Sequence, residues 1–155
     1  MTLAAVSDAG PVIHLAEIES IDLLTWFEPF LIPETVYSES EAGGLPDGLS
    51  DLPYELADTD PNQIETELDA GERAAIVVAK ERNVVLLTDD LAAREAAADA
   101  DIEVHGSLGI IALGYGRGRL DRDEAASRMR TLQRETSLFV TEGVVEQGIK
   151  LLDEQ

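Results

Sequence analysis

Short apolar runs alternate along this chain with stretches of helical periodicity. Residues 3–7 (LAAVS) are apolar up to Asp8 and read as a buried strand. Gly10-Pro11 then opens a helix, with proline at a tolerated first-turn position, and Ile13, Ala16 and Glu17 continue it. A second short helix is expected from Ile21 to Phe27, carrying the only tryptophan, Trp26. Residues 30–32 (FLI) read as a second strand, and Pro33 starts a helix that runs to about Ala42. Residues 43–53 (GGLPDGLSDLP) hold glycine, proline and acids without periodicity, which marks a surface loop. A helix follows from about Ala70 to Arg82. Residues 84–88 (VVLLT) are the clearest strand, a continuous apolar run suited to the middle of a parallel sheet. Asp89-Asp90 ends it, an alanine-rich helix comes next, and residues 102–105 (IEVH) make another strand. Helices at Ser107 to Tyr115, Asp121 to Glu135 and Thr141 onward complete the pattern.

Strands alternating with helices predict an α/β fold, a three-layer α/β/α arrangement around a central parallel sheet. No internal repeat interrupts it. In such sheets the ligand site lies beyond the carboxyl ends of the strands.

Length adds that residues 1–155 form a single domain, and an apolar fraction of 45% is enough for a packed core. No apolar run reaches the roughly 18–20 residues that span a bilayer, and MTLAAVSDAG lacks the basic start of a signal peptide. The expected location is the cytoplasm, with no membrane partner. The absence of cysteine excludes disulfides and thiolate metal sites. Charge changes the picture most: 32 acids stand against 11 bases, a net charge of -21. Like charge of this density repels itself in dilute buffer and is screened in molar salt, where the Debye length is about 3 Å. The acids are spread along the whole chain, so the composition reads as halophilic adaptation rather than as an acidic tail.

Acids follow two strand ends, where the site should be. Asp8 directly follows the first strand, and Asp89 and Asp90 follow the strand at 84–88. Helix capping is the plain alternative for each. Glu72 shares a stripe with Ala75, Ile76 and Ala79 at i, i+3, i+4 and i+7, which would turn it toward the core; the plain alternative is a first-turn acid that reaches water. A buried carboxylate is costly unless compensated; the helix dipole returns only about 0.3–1 kcal/mol, and a metal ion at the sheet edge would supply the rest. Glu39 borders the apolar face of its helix, one turn after Val36. Carboxylates with few nitrogen or sulfur alternatives suit Mg²⁺ or Mn²⁺.

The other chemistry-bearing residues divide. His14 lies on the first helix with Asp8 nearby, so it could approach the site, though such a histidine is more often a packed or half-exposed residue; His105 reads as a turn or capping residue, and two separated histidines do not make a zinc site. Gly114, Gly116 and Gly118 end a helix and do not form a dinucleotide loop. Residues 115–135 carry Arg117, Arg119, Arg122, Arg128, Arg130 and Arg134 against four acids. They are either ion-paired within the helix, as Glu124 with Arg128, or a phosphate-tracking edge near the site, with Arg117, Arg119 and Arg122 binding RNA.

The segments VSDAGPVIHL, IPETVYSE, LDAGERAAIVVAKE, VVLLTDDLAAREAA and HGSLGIIALGYGRGRL resemble the PIN-like domain family, the fold of toxin ribonucleases in prokaryotic toxin–antitoxin pairs. The likeness runs from residue 6 to about 120 and is nearest the branch with GE and DD signatures. It implies a metal-dependent endoribonuclease, a hydrolase of RNA phosphodiesters using Mg²⁺ or Mn²⁺, with RNA as substrate, an antitoxin protein as partner and a homodimer as assembly. It also implies that Asp8, Glu39, Glu72 and Asp90 are catalytic and bind the metal, with Asp89 an additional ligand. The family often carries T-x-D-x-x-F, whereas Leu91-Ala92-Ala93 follows here. The better ligand of Asp89 and Asp90 is therefore left open, and so is a non-catalytic PIN-like module that binds RNA or protein. A phosphotransfer domain of the receiver or haloacid-dehalogenase type fits less well. Receivers place the acid pair after the first strand, and the D-x-D of dehalogenases is broken at Gly10.

Overall fold

A computed structural model of the chain describes residues 3–44, 48–138 and 140–154. Five strands, β1 (Leu3–Ser7), β2 (Phe27–Pro33), β3 (Tyr54–Ala57), β4 (Val85–Leu87) and β5 (Val104–His105), form one parallel sheet in the order β3-β2-β1-β4-β5. Alternation along each strand assigns the two faces. Ala5, Phe30, Ile32, Val85 and Leu87 point to one side, where they meet Val12 and Leu15 of α1 (Ala9–Glu17), Val36 of α2 (Glu34–Ala42) and Ile110 and Ile111 of α5 (Ser107–Gly116). The helices α6 (Arg122–Glu135) and α7 (Glu142–Leu152) extend that same core. Val6, Leu31 and Leu86 point to the other side, against Ala75, Ile76, Val78 and Ala79 of α3 (Ala70–Arg82) and Ala97 of α4 (Leu91–Asp99). This is the expected three-layer α/β/α arrangement. No helix among the described residues is long and apolar enough to cross a membrane.

Strand order locates the site. From β1 the chain moves outward through β2 to β3, then returns through α3 to place β4 on the opposite side of β1. The direction of progress reverses between β1 and β4, and a crevice opens there at the carboxyl edge. Asp8 and Thr88-Asp89-Asp90 flank it, and Asp8 N–H donates to Leu87 O (2.9 Å), closing the two strands up to their ends.

Three elements differ from the sequence reading. The strand β3 falls in a stretch given no element: Glu55 and Leu56 are exposed and only Ala57 is buried, as suits an edge strand paired with β2 alone. Residues Ile21–Trp26 form a 3-10 helix, and Phe27 already belongs to β2. That strand begins three residues early, and the β1–β2 register shifts between Leu3 and Ala5, which sets the Glu28-Pro29 segment at an irregularity where proline is tolerated. Residues 45–47 of the loop expected at 43–53 lie outside the described residues, and Leu49–Asp51 within it form a 3-10 helix.

Candidate active site

Each acid at the carboxyl edge is held by a specific local device. Asp8 caps α1: one carboxylate oxygen accepts from Ala9 N–H (2.9 Å) and the other from the Thr88 hydroxyl (3.3 Å). The same buried hydroxyl accepts from Asp90 N–H (3.2 Å), so Thr88 joins the ends of β1 and β4 across the crevice. Asp90 caps α4 through Ala93 N–H (2.8 Å). Glu72 forms a capping box with Asp69: Glu72 N–H donates to Asp69 (2.8 Å), and Asp69 N–H donates to the Glu72 carboxylate (3.2 Å). Glu39 reaches from α2 to the first turn of α3, where Gly71 N–H stabilises its charge. That approach requires glycine: a Cβ at Gly71 would stand 2.8 Å from Glu39 Oε2 and 3.3 Å from Val36 Cγ2.

These carboxylates share one electrostatic environment. Burial is the largest influence on Asp8 and raises its pKa to about 6, with the charges of Asp69 and Glu39 adding to it. Glu72 rises to about 7, first through desolvation and then through Asp69, Asp90 and Asp8. Glu39 is raised by burial and by Asp69, against the lowering effect of Gly71 N–H. Mutual repulsion of this kind marks acids that crowd together without a cation. Asp69 acts on all three and was not singled out from the sequence. Its signal was available as the D-x-x-E spacing that predicts a capping box with Glu72. The stripe through Glu72 is not the only buried part of its helix. Ala75, Ile76 and Ala79 are buried, but so are Ala74, Val77 and Val78, so the stripe does not single out one face.

Asp89 is different from Asp90. Its side chain is 8% exposed and accepts from Ser107 N–H (2.6 Å), from the Ser107 hydroxyl (2.6 Å) and from His14 Nδ1 (2.7 Å). Burial pushes its pKa up, but the hydrogen bonds from His14 and Ser107 outweigh this and hold it below the usual carboxylate range. Gly106 leaves room for the arrangement, since a Cβ there would stand 2.8 Å from Asp89 Oδ1. Both oxygens are thus spent on fastening α1 and α5 to the β4–α4 corner, while Asp90 shares the environment of Glu72. His14, read from the sequence as a packed residue, belongs to this fastening.

The arginines lie elsewhere. α5 starts at the carboxyl edge with Ser107 on Asp89 and carries the chain back across the sheet, where Gly114 packs against Leu23. Arg117 and Arg119 therefore emerge at the amino edge, their guanidinium carbons 5.0 and 5.6 Å from the ring centroid of Trp26, just before β2. Arg122 is held by Asp153 (2.9 and 3.1 Å). The expected phosphate-tracking edge near the acids is thus not formed by Arg117, Arg119 and Arg122, because one helix length separates them from Asp8 and Asp90. The expected Glu124–Arg128 pair is also replaced: Glu124 completes a capping box with Asp121, and Arg128 donates to Ser20 (3.1 Å) and faces Asp22 at 3.9 Å. His105 faces Glu103 at 3.0 Å.

An all-oxygen set at this edge has the donor chemistry of Mg²⁺ or Mn²⁺, and a cation would relieve the repulsion that raises Asp8 and Glu72. As the side chains stand, no three acids or histidines among the described residues are arranged to hold an ion. One oxygen of Asp69 and one of Asp90 are engaged in capping, and each carboxylate has further lone pairs to offer.

No curated protein matches the chain. Among solved structures it is similar to a PilT N-terminus domain protein from the hyperthermophilic archaeon Sulfolobus solfataricus P2, at 19% identity and a TM-score of 0.58, over 70% of this chain and 90% of that one. That likeness is one of fold. A family model described as the PIN domain matches residues 4–154, and the chain therefore belongs to the PIN domain family.

Proposed function

We propose that the protein is a metal-dependent ribonuclease that hydrolyses RNA phosphodiesters, with Asp8, Glu39, Glu72 and Asp90 holding Mg²⁺ or Mn²⁺. PIN domains are in general nucleases that use divalent metals. The observation that carries the reading to these residues is their placement: acids at the starts of α1, α3 and α4 and one from α2 lie at the carboxyl edge, where burial first and neighbouring carboxylates second raise Asp8, Glu39 and Glu72. Asp69 joins the set as the residue that repels three of them, and Asp89 serves as a fastener. A bound ion supplies an attacking water of lowered pKa and stabilises the leaving oxygen. With no ion present Glu72, raised to about 7, is partly protonated near neutral pH, and Asp8, raised to about 6, is protonated below it, so loading the site in that range releases protons to solvent.

The test is cleavage of a mixed RNA pool in molar KCl beside Mn²⁺ titration by calorimetry. Asp8→Asn and Asp90→Asn should lose both cleavage and Mn²⁺ affinity while the circular dichroism spectrum stays that of wild type. Full cleavage by Asp8→Asn with unchanged Mn²⁺ binding defeats the mechanism. A second reading, a PIN module that binds RNA or protein without cutting, is favoured by the commitment of Asp8, Asp69, Asp90 and Glu72 oxygens to backbone N–H groups. Wild-type protein that binds Mn²⁺ and RNA and leaves the RNA intact selects it. The role of toxin, with an antitoxin partner and a homodimeric assembly, is a further proposal supported by the family resemblance.

A further inference from the structure

Five arginines are half-buried: Arg73, Arg94, Arg122, Arg128 and Arg130. Four have partners, in Asn62 and Asp69 O for Arg73, Asp153 for Arg122, Ser20 and Asp22 for Arg128, and Glu146 for Arg130. Among these five, only the guanidinium of Arg94 has no hydrogen bond or ion pair among the described residues, in a chain with 32 acids to choose from. No buried side-chain nitrogen among the described residues lacks a partner, so the guanidinium of Arg94 is open to solvent and free to take an anion from it. Arg94 lies one helical turn beyond Asp90, and its N–H donates to Asp90 O (3.0 Å). It lines a groove that starts at Asp89 and continues past Gly106, Leu108 and Val144. Gly106 opens the space in front of it, because a Cβ there would stand 3.1 Å from Arg94 Nη1. The groove is rimmed by two aliphatic side chains that face solvent, Leu91 at 73% and Val144 at 50% exposed.

We propose that Arg94 binds a phosphate of the RNA strand adjoining the one that is cut, with the strand lying along this groove and its sugars and bases against Leu91 and Val144. This rests on the ribonuclease reading of the acid site and names how that site takes its substrate. A cluster of carboxylates repels a polyanion, so a strand presented to Asp90 needs a cation beside it. Arg94 is that cation, and the planar fork of its guanidinium matches two phosphate oxygens at once. A protein partner in the groove would equally cover Leu91 and Val144, but the partnerless guanidinium favours a ligand that brings an anion at a fixed distance from Asp90.

The test compares wild type, Arg94→Gln and Arg94→Lys on short RNA oligonucleotides in molar KCl, with Ca²⁺ to read binding and Mn²⁺ to read turnover. Arg94→Gln should weaken binding and raise KM about tenfold while kcat changes less than threefold, and Arg94→Lys should recover part of the loss. The salt dependence of binding should fall by about 0.7 in log–log slope, the value of one single-strand phosphate contact. A set of oligonucleotides with one neutral methylphosphonate at each linkage in turn should reveal one linkage, displaced from the cleaved one, whose neutralisation weakens wild type and leaves Arg94→Gln unaffected. Equal affinity of Arg94→Gln and wild type overturns the proposal, as does a uniform loss at every linkage with an unchanged salt slope. Wild type that neither binds nor cuts RNA overturns the ribonuclease reading itself. That result is distinct from an active enzyme indifferent to Arg94.

Discussion

Replacing Asp8 by asparagine should stabilise the metal-free protein at pH 8. Asparagine keeps the acceptor for Ala9 N–H and caps a helix about as well as aspartate. What it removes is a charge in a poor place. The folded pKa of Asp8 is raised from 3.8 to about 6, mainly by burial. A shift of about 2 units at 1.36 kcal/mol each is a penalty of about 3 kcal/mol on the charged form. The sign follows from linkage. The folded state holds the proton more tightly than the unfolded one, so the wild type is favoured at low pH and loses that advantage as pH rises through about 6. Asp8→Asn does not titrate there. Its gain over wild type should therefore be about 1–3 kcal/mol at pH 8 and should vanish below pH 4. In a protein of this size that is a rise in melting temperature of about 3–10 °C. The assay is thermal unfolding in EDTA and molar KCl at pH 4, 6 and 8, repeated at pH 8 with Mn²⁺. Saturating Mn²⁺ should reverse the order, because only wild type gains from ligation. An Asp8→Asn variant less stable than wild type by the same amount at pH 4 and pH 8 refutes the reasoning, since the loss would then lie in packing and not in charge.

Three further outcomes are expected. Gly71→Ala should leave stability within about 1 kcal/mol of wild type, since alanine is the better helix former, yet it should lower Mn²⁺ affinity in calorimetry because the new Cβ displaces Glu39 Oε2; unchanged affinity argues against Glu39 as a ligand. Asp89→Asn should cost about 2–4 kcal/mol at pH 7 by weakening charge-assisted bonds to Ser107 and His14. The depressed pKa of Asp89 means that this difference should shrink as pH falls through the acid range, which denaturant titrations at pH 7 and pH 3.5 would show. The net charge of -21 predicts a melting temperature that climbs steeply from low to molar KCl, and a flat profile removes the halophilic reading.

The apolar runs made β1 and β4 legible because both are buried on two faces and need no polar alternation. The helix Ala70–Arg82 was legible over its whole length because its residues are mostly helix formers. β3 was not, since a strand with one neighbour and an exposed Leu56 has no pattern to offer. Within the site, the positions of Asp8 and Asp90 followed from strand ends alone. The difference between Asp89 and Asp90 did not, because it depends on Ser107 arriving from 18 residues away to take both oxygens of the first. Arg117 and Arg119 misled for a related reason: they are near His105 and Gly106 in sequence, but a helix of 10 residues carries them to the far edge of the sheet.

The central position of β1 has a consequence for the order in which the protein is made. Its partner β2 is synthesised soon after it, but its other neighbour, β4, emerges only when residues 85–87 leave the ribosome. Until then β1 is an open strand edge, and Asp8 faces a crevice with one wall. Thr88 reaches Asp8, and Asp90 joins it through the Thr88 hydroxyl, at the moment that edge closes. A nascent or truncated chain ending before residue 85 thus carries Asp8, Glu39 and Glu72 without the strand that gathers them, so synthesis itself delays the assembly of the site to the second half of the chain.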